Sequence, residues 1–175
     1  MKVTLIKAPT EDDWMEVKRR ALITCWKKPV NMPDSVWRHK ILEARHSPIR
    51  YLMYSFLIEG IPSNTATHFA RHIHAQPYIS TLRNDRQSFT DGDAAPRNTP
   101  VNMILDANAE ELMIMANKRL CKKAAEPTRK VMQEMCRLAI AETPELCGLL
   151  VPMCKYHGGV CHEMQPCKEI EKREC

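Results

Sequence analysis

The stretch Tyr51 to Ile58, reading Tyr-Leu-Met-Tyr-Ser-Phe-Leu-Ile, restricts the fold more than any other part of the chain. It is rich in aromatic and branched side chains and is bounded by Arg50 and Gly60, the profile of a buried strand. A chain of 175 residues, 44% of them hydrophobic and 27% charged, holds enough apolar material to build one core around such a strand. A single domain is therefore expected. Lys2 to Lys7 alternates as a short strand does, and Thr10 with Asp13 forms a capping pair that opens a helix to about Ile23. Asp34 or Ser35 caps a second helix with Trp37, Ile41 and Leu42 on one face. It ends near His46, because Pro48 disfavours helical geometry at Ser47. Strands and helices in this order predict an α+β protein.

After Gly60-Ile61-Pro62, Ser63 is placed to cap a helix from Asn64 to about His74, which Pro77 stops. His68, Arg71 and His72 stand at i, i+3 and i+4 on it, so they share one face, while Phe69 and Ile73 are expected to point into the core. The arginine fork matches phosphate oxygens, and histidines donate to phosphate or carbonyl oxygens at lower cost than a permanent charge. With Arg83 and Arg86 following, the segment Arg71 to Arg86 is predicted to form a basic site for a phosphate-bearing ligand. Solvated surface basics are the plain alternative. A helical zinc pair, His68 and His72, lacks the glutamate of a protease motif and sits beside Arg71. The formal charge of +5, from 26 Lys plus Arg against 21 Asp plus Glu, favours anionic ligands without forming the dense stripe of a nucleic-acid coat.

Asn84 to Pro100 holds Gly92, Pro96 and Pro100 with little periodicity and is expected to be a functional loop. Asp106 or Asn108 then caps a helix with Glu110 and Glu111 in its first turn and Lys118 and Arg119 at its end, charges that suit the helix dipole. Pro127 opens another helix, running to about Ala141 and halted by Pro144. No run approaches the roughly 18 apolar residues of a membrane span, and Met1-Lys2-Val3-Thr4 does not open a secretion signal, so a cytoplasmic protein is expected. The 8 cysteines are then free thiols or metal ligands, with Cys25 an ordinary buried thiol. Cys154, His157, Cys161, His162 and Cys167 surround the Gly158-Gly159 turn. A structural zinc knuckle is one reading of this tail and buried thiols another, and no metal ligand is assigned.

Arg45-His46-Ser47-Pro48-Ile49, the strand Tyr51 to Ile58, Phe69-Ala70-Arg71-His72-Ile73-His74 and Thr81-Leu82-Arg83 follow in an order that resembles the flavin-dependent (ThyX-type) thymidylate synthases. That family's signature is Arg-His-Arg, two residues, Ser, one residue, Asn, three residues, Ser, one residue and Arg. Arg71, His72 and Arg83 match it, with Thr81 in the last serine position. Asn108-Ala109-Glu110-Glu111-Leu112 through Asn117-Lys118-Arg119-Leu120 is similar to the family helix that begins Asn-Ala-Arg-Ser-Leu and ends Asn-Leu-Arg, and the tail resembles a Gly- and Cys-bearing ending found in some members. The departures are Ile73 for the second signature arginine, Gln76 for the first serine, Tyr78 for the asparagine, Ile79 for a frequent glutamate and Glu110 for an arginine, with a short gap from Arg83 to Asn108. The chain would be a divergent, short member.

The resemblance implies a mixed sheet flanked by helices in a ThyX-like catalytic domain over residues 1–150, with a Cys/His-rich tail over 151–175. It implies a homotetramer with sites between subunits. The implied reaction moves a one-carbon unit from methylenetetrahydrofolate to C5 of dUMP, with FAD reduced by NADPH. By position, Ser47, Arg71, His72 and Asn108 would contact the flavin, while His68, Thr81, Arg83, Arg97 and Arg119 would contact the nucleotide. Arg119 would be the catalytic arginine that favours ionisation of the pyrimidine. A related enzyme acting at C5 of another uracil nucleotide is an alternative. So is a non-catalytic nucleic-acid-binding module with a zinc-bearing tail, although 6% aromatic residues offer little for stacking on bases.

Overall fold

The computed structural model describes residues 1–86, 91–92 and 94–167, so the charged run 168–174 and parts of the 84–100 loop lie outside the described residues. Strands β1 (Lys2–Lys7), β2 (Met53–Pro62), β3 (Gln76–Ile79) and β4 (Pro100–Asn108) form one sheet in the order β1-β2-β4-β3. Its helices are α1 (Glu11–Ile23), α2 (Ser35–Glu43), α3 (Ser63–Ala70), α4 (Ala109–Arg119), α5 (Glu126–Glu142) and the short α6 (Met153–Tyr156). The α+β class is as expected. All three strand pairings are antiparallel, so the sheet is antiparallel throughout rather than mixed.

The central strand begins two residues later than its apolar run, because Ser47–Tyr51 forms a 3-10 turn, and it continues past Gly60 to Pro62. Gly60 marks a bulge instead of an end. Glu59 and Gly60 together oppose Asn102, Gly60 takes φ +64°, and its amide donates to Asn102 Oδ1 at 3.0 Å. The extra residue reverses the alternation, so Ile61 turns inward after Tyr54, Phe56 and Ile58. On β4, Val101, Met103, Leu105 and Ala107 face the same core. Helix α5 packs across β1 and β2, bringing Val131, Met132, Met135 and Ala139 into contact with that layer. Tyr54, buried in it, donates its hydroxyl proton to Thr143 Oγ1 at 2.9 Å.

Local capping follows the sequence in part. Thr10 and Asp13 form the expected reciprocal box, and Asp34, not Ser35, caps α2 by accepting from the Trp37 amide at 2.8 Å. Ser63 is not a cap: Pro62 precedes α3, and the Ser63 hydroxyl donates to the Arg97 carbonyl at 2.8 Å. Helix α3 ends at Ala70, one turn before the expected His74, so Ile73 is 87% exposed instead of buried. Helix α2 ends with Arg45 at φ +51°, a conformation that favours glycine. The Arg45 guanidinium holds it there, donating to Asn117 Oδ1 at 2.6 Å and lying over the Tyr156 ring, 4.4 Å from its centre.

No described helix is long and apolar enough to cross a membrane. Cys25, Cys121, Cys136, Cys154 and Cys161 are free thiols, whereas Cys147 is disulfide-bonded. Cys25 is exposed, contrary to expectation, because it follows the last turn of α1. Burial pushes the Cys136 thiol up to about 12, which leaves it a packing group. Phe56→Ala is expected to lower unfolding stability by about 3–5 kcal/mol. Ile104→Ala, on the outer face at 37% exposure, should cost under about 1 kcal/mol. Urea unfolding of the two variants checks the assignment of faces.

Candidate functional site

Helix α3 packs against α5, and hydrogen bonds tie its last turn and the turn that follows to α4. Arg71 is the C-cap of α3, and His72 sits in the next turn, where its amide donates to the Phe69 carbonyl at 3.1 Å. His72 is 8% exposed, and both ring nitrogens are engaged: Nδ1 with Glu111 Oε1 at 2.8 Å, and Nε2 with Arg119 Nε at 3.0 Å. Arg119 also donates from Nη2 to the His68 carbonyl at 2.7 Å. His68 Nδ1 and the Thr128 hydroxyl share a hydrogen bond at 2.6 Å.

The positive charges of Arg71 and Arg119 act on each other here, and the acid of the group, Glu111, is engaged with His72. Neither Arg71 nor Arg119 forms an ion pair with a carboxylate among the described residues. Burial, and then the charge of Arg71, lower Arg119 from the usual arginine value. Burial, followed by the charges of Arg119 and Arg71, holds His68 below the usual histidine range. Among the described residues, Arg119 Nε and one Nη2 donor are taken by His72 and the His68 carbonyl, and its other donors are open to an anion or a carbonyl.

The other sequence-predicted residues are placed differently. Asn108, not Asp106, caps α4, with Oδ1 accepting from the Glu111 amide at 2.9 Å, while Asp106 takes the Ser55 hydroxyl. Ser47 is exposed at the head of the 3-10 turn. Thr81 accepts from the Arg83 amide at 3.1 Å, and Arg83 pairs with Asp85 at 2.7 Å on the surface. Arg97 is exposed and contributes its carbonyl to the start of α3. No hydrogen bond or ion pair among the described residues joins Ser47, Thr81, Arg83 or Arg97 to the His68, Arg71, His72 and Arg119 group.

The sequence assigns Glu111 only to the helix dipole and gives Thr128 no role. Glu111 follows Asn108 by three residues, the spacing of a capping box, which accounts for a glutamate locally and hides its contact with His72. Thr128 follows Pro127 in the first turn of α5 and carries no signal beyond that.

A separate cavity of about 620 Å³ lies between the end of α4, the start of α5 and the tail, lined among others by Lys118, Cys121, Arg129, Cys154 and His157. Among the described residues, those of the tail included, no group of three or more His, Cys, Asp or Glu side chains could hold an ion. The His157 and His162 rings instead meet edge to face, 5.1 Å apart.

No protein-family profile and no curated protein sequence matches the chain. Solved structures do. A crystal structure of thymidylate synthase X (ThyX) from Helicobacter pylori with FAD and dUMP has a TM-score of 0.63 and 16% identity, covering 79% of this chain and 93% of that one. A second structure of flavin-dependent thymidylate synthase ThyX from the same organism, complexed with FAD and dUMP, has a TM-score of 0.64 and 16% identity, covering 81% of this chain and 95% of that one. The likeness establishes that this chain has the ThyX fold.

The lowered His68 value carries a sign for stability. A histidine whose folded pKa is depressed contributes fully above its unfolded pKa, and that contribution is lost as pH falls through the folded value. Stability should therefore drop as pH falls from about 7 to about 5, and His68→Gln should make that decline shallower, as measured by thermal unfolding across pH.

Proposed function

We propose that this chain is a divergent, short flavin-dependent thymidylate synthase, transferring a one-carbon unit from methylenetetrahydrofolate to C5 of dUMP with FAD and NADPH. The observation that carries the proposal is the Arg119 guanidinium, half-buried, held by His72 and the His68 carbonyl, without an ion pair to a carboxylate among the described residues and under the charge of Arg71, on a chain with the ThyX fold. The two charges and the open Arg119 donors suit ligands that bear phosphates and a uracil carbonyl.

FAD, when bound, supplies the redox chemistry. The protein's share is binding and orientation. Ser47, Arg71 and Asn108 would hold the flavin. Asn108 Oδ1 is occupied by the α4 cap, which leaves its amide donors for that task. His72 has both ring nitrogens engaged and would serve the flavin side through its neighbours, not by a donor of its own. His68, Thr81, Arg83, Arg97 and Arg119 would contact the nucleotide, with Arg119 catalytic: a half-buried guanidinium against the pyrimidine favours negative charge on the ring. Thr81, Arg83 and Arg97 stand apart from the central group within one chain, which suits sites shared between subunits of a homotetramer. The cellular setting of such an enzyme is the cytoplasm.

Protein incubated with FAD and desalted is expected to retain the absorption of oxidised flavin and to bind dUMP. A colourless protein with no affinity for the nucleotide would end the proposal. Arg119→Ala is expected to weaken dUMP binding by at least about tenfold, the loss of one or more charge-assisted hydrogen bonds, while retaining the fold. Isothermal titration with dUMP checks this.

A further inference from the structure

Glu111 is an acid with no evident reason to be where it is. Its side chain is 3% exposed, and a carboxylate removed from water is costly unless it is paired and hydrogen-bonded. A favourable interaction with the dipole of α4 needs only a first-turn acid, which Glu110 already provides while pairing with Arg50. Glu111 occupies the third helical position after the Asn108 cap, from which a capping-box glutamate would reach back to the cap amide. Its carboxylate goes instead to His72 Nδ1, on the turn after α3.

We propose that Glu111 is a positioning residue: acting through His72, it fixes the tautomer on which the placement of Arg119 depends. A carboxylate on Nδ1 requires the ring proton to be there. Nε2 is then a lone pair, able to accept the Arg119 Nε proton at the observed 3.0 Å. In the other tautomer two N–H donors would face each other across that distance, and the guanidinium would have to turn away. With Nε held by His72 and Nη2 held by the His68 carbonyl, the guanidinium plane is fixed and its remaining donors keep one orientation. The chain of contacts is carboxylate to imidazole to guanidinium, and it moves no proton. Its functional meaning rests on Arg119 being the nucleotide contact proposed above.

The test uses the full chain with ¹⁵N-labelled histidine. Nuclear magnetic resonance of the wild type should show His72 as the Nδ1–H tautomer. Glu111→Leu should shift it to Nε2–H and weaken dUMP binding by about tenfold, the loss of one oriented charge-assisted contact. Glu111→Gln, which keeps a carbonyl acceptor and a similar shape, should retain the tautomer and most of the affinity, a rescue that simple removal of a buried charge would not produce. The glutamine variant and the wild-type spectrum carry the test even if the leucine variant does not fold. A wild-type His72 in the Nε2–H form, or a folded Glu111→Leu protein with unchanged tautomer, overturns the proposal. If the wild type binds no dUMP, the thymidylate synthase reading fails, and the tautomer measurement still decides the role of Glu111.

Discussion

The antiparallel pairing of β2 with β4 is the constraint on which the rest depends. Because the strands run in opposite senses, Pro62 at the end of β2 lies opposite Pro100, while Met53 at its start lies opposite Asn108. Helix α3 therefore leaves from one end of the pair and α4 from the other. They meet alongside the sheet, where His72 contacts both Glu111 in the first turn of α4 and Arg119 in its last. The pairing that builds the core thus also sets the spacing of the cationic group. A register shift in β2 would displace both helices relative to each other.

The far end of α4 is held as firmly as the near one. Asn117, two residues before Arg119, accepts from Arg45 and donates to the Val151 carbonyl at 2.7 Å. Arg45 in turn lies over Tyr156 of α6. The C-terminal segment that the sequence suggests as a zinc knuckle thus bears on the functional helix through an amide and a cation–π contact. Such preorganisation lets a guanidinium meet its ligand without first losing side-chain freedom.

What was legible in the sequence was local. The Thr10–Asp13 box, the Asp34 cap and the Pro127 helix start depend on residues three or four apart, and each appears in the structure. Strand β4 was obscured, although Val101, Met103, Leu105 and Ala107 alternate as a half-buried strand should. The nearby proline and glycine residues, and two rival caps at Asp106 and Asn108, masked its period. The Glu111 contact with His72 spans 39 positions and has no periodicity to betray it, while its place in the first turn of α4 is already accounted for by the helix dipole. The Arg119 contact with His72 spans 47 positions, and no rule of spacing joins the end of one helix to the end of another.

The two outer strands of the sheet differ from its centre in a way that bears on how copies of this chain can meet. Strand β1 begins and ends in lysine and loses register between Leu5 and Lys7, and β3 is four residues long with Pro77 inside it. Charge, irregularity, brevity and a missing amide each discourage another strand from joining at an open edge. The sheet is thereby barred from growing sideways into a continuous intermolecular ribbon. The outer edges therefore offer less to an assembling copy than the faces and helices do.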